Sequence, residues 1–266
     1  QTGSGKTYTM EGGAGPEPAT PLRGMIPRAV DQVFQVLQTM ASQGWEHTVS
    51  CQIVQIYNEQ VRDLLNGSAE YHAATYRGGP TDRHEIKHDL AGQTIVTGVT
   101  EAVVQNTADV YCALATASAN RAKGATQCNH WSSRSHSIFS LKVRNVHQST
   151  GQTLLGVLNM IDLAGSERLH SSGSSGDTLR ETQCINRSLS CLGDVIHAIA
   201  NKHPHVPFRN SKLTHLLKDS LAGDAKVLMV VNISPLEEHS AESICSLRFA
   251  QTVGSCELGL ARRLVP

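Results

Sequence analysis

Leu154-Leu155-Gly156-Val157-Leu158-Asn159-Met160-Ile161 is a nearly continuous apolar run that stops on Asp162 and continues as Leu163-Ala164-Gly165. Such a run is the pattern of a strand buried on both faces. A second one spans Val227 to Ile233. Strand-like alternation also occurs at Thr48 to Tyr57, where Val49, Cys51 and Ile53 share a face, and at Ser137 to Val143; Gln93 to Val104 is rich in β-branched residues and is read as one strand.

Between the strands lie helical periods. Gly24-Met25-Ile26-Pro27 opens one, with Pro27 in the first turn and Val30, Val33, Phe34 and Leu37 on one stripe. Ala108 to Arg121 is another. Ile185, Leu189, Leu192, Ile196 and Ile199 step by four and three along a long amphipathic helix, and Ile244, Leu247 and Val253 mark a last one. Glu11 to Leu22, Asn66 to Pro80 and Ser171 to Gly176 have the composition of loops. Strands alternating with helices predict an α/β domain with helices on both faces of one sheet.

Composition limits the possibilities. The 266 residues, 39% apolar with 22 Gly, suit one large domain or two small ones and exclude a wholly disordered chain. Twenty-three basic residues balance twenty-three acidic ones, so no global field draws in nucleic acid and any charged partner must meet a local patch. The longest apolar run, Val227 to Val231, is far short of the ~20 residues that cross a bilayer, so no membrane partner is expected. The amino end lacks Met and a secretory leader, which predicts a chain cut from a longer one. Seven cysteines without a C-x-x-C pair fit a reducing compartment, with the thiols as small buried filler.

Gly3-Ser4-Gly5-Lys6-Thr7 is the body of a phosphate-binding loop, G-x-x-x-x-G-K-[ST], whose first Gly would lie just before Gln1. Glycines let backbone N–H groups approach phosphate oxygens, and the following helix offers its positive end. In that reading Lys6 bridges the β- and γ-phosphates and the Thr7 hydroxyl holds Mg²⁺. Asp162 and Gly165 supply the D-x-x-G of a γ-phosphate sensor, a carboxylate toward the metal and a backbone N–H toward the phosphate. The two signals together predict a three-layer domain of the P-loop nucleotidase type, with a central mostly parallel or mixed sheet. Two other patterns carry little: His84-Glu85-Ile86-Lys87-His88 would need a helix to bind zinc, and Asn201-Lys202-His203-Pro204 lacks the carboxylate that reads guanine.

Asn129-His130-Trp131-Ser132-Ser133-Arg134-Ser135-His136 resembles the switch I sequence of kinesin motor domains, and Asp162-Leu163-Ala164-Gly165-Ser166-Glu167 their switch II. Gln1 to Thr9, Ile185 to Leu189 and His205 to Thr214 match further motifs in the family's order. The segment Leu247 to Gly259 is similar to kinesins whose motor lies at the carboxyl end, which are minus-end-directed and act at the spindle.

The resemblance implies that residues 1–266 are a motor domain that begins inside the phosphate loop, the family's preceding strands being absent. It implies ATP and Mg²⁺ as cofactors, with Gln1, Thr2, Gly3, Ser4, Gly5, Lys6 and Thr7 around the phosphates. Tyr8 takes the place of the ring that packs on adenine; otherwise it is a half-buried helix tyrosine. Thr7, Ser133 and, through water, Asp162 would hold the metal. Arg134 and Glu167 would pair to close the site, and Lys6, Ser133 and Gly165 would serve the terminal phosphate. Arg187, His205, Arg209, Lys212 and His215 fall on microtubule-contacting positions, the last four in a stretch with no Asp or Glu from Asn201 to Lys218. A homodimer through a coiled coil outside this chain, and a place in the cytoplasm on microtubules and the spindle, complete what the family implies. A microtubule-stimulated ATPase is the leading reading; a fragment that binds microtubules without turnover, and a nucleotidase without a track, are the alternatives.

Overall fold

A computed structural model describes residues 1–13, 22–66, 84–89, 93–123, 134–166, 177–222 and 225–258. Its centre is a long antiparallel ladder between β1 (Trp45–Tyr57) and β6 (His136–His147), running from Trp45 opposite His147 to Ile56 opposite His136. β2 (Gln60–Asp63) lies on one side of β1 and β7 (Thr153–Asp162) on the far side of β6; β5 (Ala102–Val104) also pairs with β1. β3 (Ile86–His88) and β4 (Thr94–Val96) form a separate small hairpin.

Among the described residues every ladder is antiparallel, where a mostly parallel or mixed sheet was expected. The connections explain this. Asn58 and Glu59 join β1 to β2 in a two-residue turn with φ of 50° and 57°, and residues 148–152 join β6 to β7. Turns this short serve hairpins, whereas a parallel pair needs a long crossover.

Helices cover both faces. α2 (Met25–Ala41) and α3 (Thr107–Lys123) lie on one: Val30, Phe34 and Leu37 pack with Val49, Cys51 and Ile53 of β1, Phe139 and Leu141 of β6, and Met160 of β7. The long α4 (Asp177–Ala200), the short α5 (Lys212–Leu216) and α6 (Lys218–Leu221), and α7 (Ser240–Gly254) lie on the other. There Leu192, Val195, Ile196, Leu213 and Leu217 meet Val54, Ile56 and Ile138. The period of two along β1 sends 49, 51 and 53 to one layer and 54 and 56 to the other.

Four expectations need correction. β7 is a strand but is not buried on both faces: it is an edge of the described sheet, and Val157 is 51% exposed. Val227 to Ile233 joins no ladder among the described residues, and Leu228 is 79% exposed, because an apolar run becomes a strand only beside a neighbour that takes its backbone hydrogen bonds. Gln93 to Val104 is two strands in two sheets, divided at Gly98, whose φ of 70° breaks the extended chain. Cys51 and Cys191 are buried as expected, but Cys112 and Cys245 are exposed.

α1 (Lys6–Glu11) is held against the start of α2. Gly24 N donates to Glu11 O, Gly13 N donates to Leu22 O, and Gly12 bridges to Arg23. A Cβ on Gly24 would lie 2.5 Å from backbone atoms of Met10, Glu11 and Gly12, so only glycine permits this approach. No described helix is long and apolar enough to cross a membrane.

Candidate functional site

The loop before α1 turns on two glycines in left-handed conformation, Gly3 with φ 78° and Gly5 with φ 91°. Side chains disfavour that region, and the space where their Cβ atoms would stand is open apart from Asn232 Nδ2 at 4.0 Å from Gly5. The turn closes on Gln1 O, which accepts from Ser4 Oγ at 2.8 Å and from Lys6 Nζ at 2.7 Å. Tyr8, on α1 beside this loop, is 52% exposed.

α1 and the end of β7 meet at the site. Thr7 Oγ1 donates to Asp162 Oδ2 at 2.6 Å. Asp162 is buried, and its other oxygen, Oδ1, is shielded and has no hydrogen-bond partner among the described residues. Desolvation raises its pKa above the usual carboxylate value; the Thr7 hydrogen bond, and the charges of Arg121 and Lys6, act the other way. A buried carboxylate oxygen with unused lone pairs beside a threonine hydroxyl is a hard oxygen donor set of the kind Mg²⁺ takes. The residues present therefore fit a magnesium-bound phosphate.

Salt bridges and hydrogen bonds brace the site from behind. Arg121 of α3 contacts Glu11 at 2.5 Å, and Asn232 Nδ2 donates to Thr9 Oγ1 at 2.8 Å. Gly165 is buried, Arg134 half-buried, and Ser135 Oγ accepts from the buried Gln55 Nε2 at 2.8 Å. Ser133 and Glu167 lie outside the described residues, as does the expected Arg134–Glu167 pair.

His136 ends the matched stretch Asn129 to His136, which gives it no role of its own. Its Nδ1 accepts from Ala164 N at 3.2 Å and its Nε2 lies 2.8 Å from Ser188 Oγ in α4. Burial holds its pKa down at about 4, so the ring is neutral.

The basic positions lie on the α4 and α5 side. Arg187, His205 and Arg209 are exposed, and Lys212 is partly so. A capping box between Ser211 and Thr214 starts α5, and Lys212 N donates to Glu59 Oε2 at 2.8 Å, fixing the helix to the β1–β2 turn. His215 is only partly exposed. Its ring stands edge-on to His88, centroids 5.3 Å apart, with Nε2 shielded; burial first, then His88, Arg209, Lys212 and Lys218, lower its pKa. Lys202, also in the basic stretch, bonds Glu257 at 2.8 Å. His84 and His88 belong to a loop and a strand rather than a helix: His84 Nδ1 lies 3.0 Å from Thr97 O, while His88 faces His215.

Comparison with known proteins decides the family. The model of the kinesin motor domain matches residues 1–256. The chain belongs to the kinesin motor domain family. It is 51% identical over 263 residues to the kinesin-like protein KIN-14N of Oryza sativa subsp. japonica, covering 99% of this chain and 34% of that protein. It is 47% identical over 265 residues to carboxy-terminal kinesin 2 of Xenopus laevis, covering 98% of this chain and 39% of that protein. The chain thus spans about a third of the length of these curated relatives. Among solved structures, the motor domain of the Saccharomyces cerevisiae kinesin-like protein Kar3 aligns with TM-score 0.78 at 43% identity, over 96% of this chain and 72% of that one. A fast kinesin aligns with TM-score 0.86 at 36% identity, over all of this chain and 71% of that one. The kinesin motor fold, of P-loop nucleotidase type, is therefore that of this chain.

Proposed function

We propose that this chain is the nucleotide- and track-binding part of a minus-end-directed microtubule motor that hydrolyses ATP. The observation that carries the reading is the 2.6 Å bond from Thr7 to Asp162, whose second oxygen has no partner among the described residues, next to a loop turned by Gly3 and Gly5. It brings the two phosphate motifs to one point.

In this reading Gln1 to Thr7 wrap the phosphates with backbone N–H groups, and Lys6 exchanges Gln1 O for the β- and γ-phosphates. Thr7, Ser133 and, through water, Asp162 hold Mg²⁺, which when bound neutralises phosphate charge. Gly165 N–H senses the terminal phosphate. Arg134 and Glu167 pair when the two loops approach, and Glu167 with Ser133 passes on the proton of the attacking water. Tyr8 offers its exposed ring to adenine.

Arg187, Arg209 and Lys212, with His205 and His215 beside them, form the face that meets the acidic surface of tubulin, so binding weakens as salt rises. Dimerisation through a coiled coil belongs to the parts of the longer protein beyond this chain, and the motor works in the cytoplasm on microtubules and the spindle. Residues 1–266 are then an incomplete motor domain. The exposed Val157 of β7 and the partly exposed Val227 to Ile233 are the surfaces that further strands of the longer chain would cover.

The test uses the full-length protein. ATP turnover raised severalfold by microtubules, with minus-end-directed gliding, supports the proposal. Cosedimentation without turnover leaves only a binding module, and turnover indifferent to microtubules leaves a nucleotidase without a track.

A further inference from the structure

His136 opens β6, and its backbone is fixed there: Ile56 of β1 pairs with it, and the next residue, Ser137, pairs with Asp162. His136 is 2% exposed, and its imidazole leaves the sheet toward two other segments. One is the loop after Asp162, through Ala164 N. The other is α4, through Ser188 Oγ.

The hydrogen bonds determine the tautomer. A backbone N–H can only donate, so Nδ1 must accept from Ala164. In a neutral ring Nε2 then carries the hydrogen and donates to Ser188 Oγ. The Ser188 hydroxyl in turn donates to Ile185 O at 2.8 Å. The line from Ala164 N–H to the α4 backbone is complete, each proton having one acceptor. Protonation at Nδ1 would set two N–H groups against each other. Burial opposes that charge as well.

We propose that His136 is a positioning residue that transmits displacement of the loop at Ala164 to helix α4 through Ser188. The covalent route between these residues runs through the whole of 165–187, whereas the imidazole joins them directly. Ala164 adjoins Gly165, on the phosphate side; Ser188 adjoins the exposed Arg187, on the track side. Because β6 holds the ring, the loop and the helix share one reference point. A loop shift that breaks the 3.2 Å bond frees the ring and weakens its grip on Ser188. This inference rests on the motor reading for its biological consequence, but the link itself needs only nucleotide binding.

The experiment cuts one half of the link in the full-length protein. His136→Asn keeps an acceptor near Ala164 N and is too short to reach Ser188; Ser188→Ala removes the same bond from the other side; Ser188→Thr keeps the hydroxyl. The readout is the ratio of microtubule dissociation constants with ADP and with a non-hydrolysable ATP analogue. The expected result is a ratio about fivefold closer to unity in His136→Asn and in Ser188→Ala, the worth of one buried hydrogen bond. The double variant should fall no further, and Ser188→Thr should recover. In parallel, the exchange of ADP for the analogue should change amide hydrogen exchange in α4 of the unmodified protein and cease to do so in the two variants, the change at 160–164 persisting. An unaltered ratio and unaltered α4 exchange in folded variants, additive losses, or a nitrogen-15 imidazole spectrum showing hydrogen on Nδ1 would overturn the proposal. If neither variant folds, the link is structural only and the proposal falls. Should the unmodified protein show no nucleotide-dependent microtubule affinity, the motor reading fails, and α4 exchange still judges the link.

Discussion

Thr7 donates to Asp162 across the site, tying the helix of the phosphate loop to the last residue of β7. The bond satisfies one carboxylate oxygen and leaves Oδ1 buried without a partner among the described residues. Burial also makes the ionised carboxylate unfavourable, which is why its pKa is raised despite the Thr7 bond. Such a group weakens the protein alone and strengthens it when a cation arrives.

Asp162→Asn should therefore separate stability from binding. Without nucleotide, the thermal midpoint should hold or rise, since a buried charge has gone. The further rise produced by magnesium nucleotide should shrink, with affinity lowered at least about tenfold, the scale of a lost charged contact. Calorimetry with and without Mg²⁺ checks both halves. A lower nucleotide-free midpoint together with unchanged nucleotide affinity would count against this account.

Phe139→Ala should cost about 3–5 kcal/mol in urea unfolding, because the ring is fully buried between α2 and the sheet. Val157→Ala, on the exposed side of β7, should change stability by no more than about 0.5 kcal/mol. Equal effects would mean that the two layers are not packed as described.

Gly24→Ala would place a methyl group 2.5 Å from the backbone at the end of α1. Backbone cannot yield as a side chain can, so α1 must move, at a cost of about 1–3 kcal/mol. Lys6 and Thr7 ride on α1. Nucleotide affinity should fall with stability, as isothermal titration would show. A Gly193→Ala control, in α4 with nothing within 4 Å of the new methyl, should stabilise by about 0.4–1 kcal/mol.

Periodic elements were legible in the sequence for a physical reason: one-sided burial imprints its period. Val30, Phe34 and Leu37 marked α2, Ile185, Leu192 and Ile196 marked α4, and Val49, Cys51 and Ile53 marked one face of β1, all as found. Runs without a period misled. The apolar residues of 154–161 and 227–233 state that neighbours on both sides suit them, but composition cannot say whether those neighbours are present, and here both stretches are partly exposed. Among the described residues the ladders are set by the tight turns at Asn58–Glu59 and 148–152, which make neighbours antiparallel, whereas helical segments between strands suggest crossovers. At the site, Gly3 to Thr7 and Asp162 could be read because phosphate chemistry demands a spacing. The His136–Ser188 bond could not, since a single histidine meeting a distant serine leaves no spacing to detect. Both residues stand inside matched motifs, His136 at the end of Asn129 to His136 and Ser188 within Ile185 to Leu189, but a motif match does not state which side chains meet.

The neutral, buried His136 fixes how stability should depend on pH. Its folded pKa is about 4, below the ordinary 6.5 of an exposed imidazole. Between those values the unfolded chain binds a proton that the folded one refuses, so stability rises with pH. The contribution is complete above pH 6.5 and is lost as pH falls toward 4, amounting to about 3 kcal/mol over that window. His215, whose pKa burial and neighbouring cations also lower, acts in the same direction. Urea unfolding of the unmodified chain at pH 7, 6 and 5 should therefore show a falling midpoint, and His136→Asn should remove the larger part of the slope while His215→Asn removes the smaller. If His136→Asn retained the whole acid loss, the ring would have to be charged inside the fold, and its acceptor role toward Ala164 would be untenable.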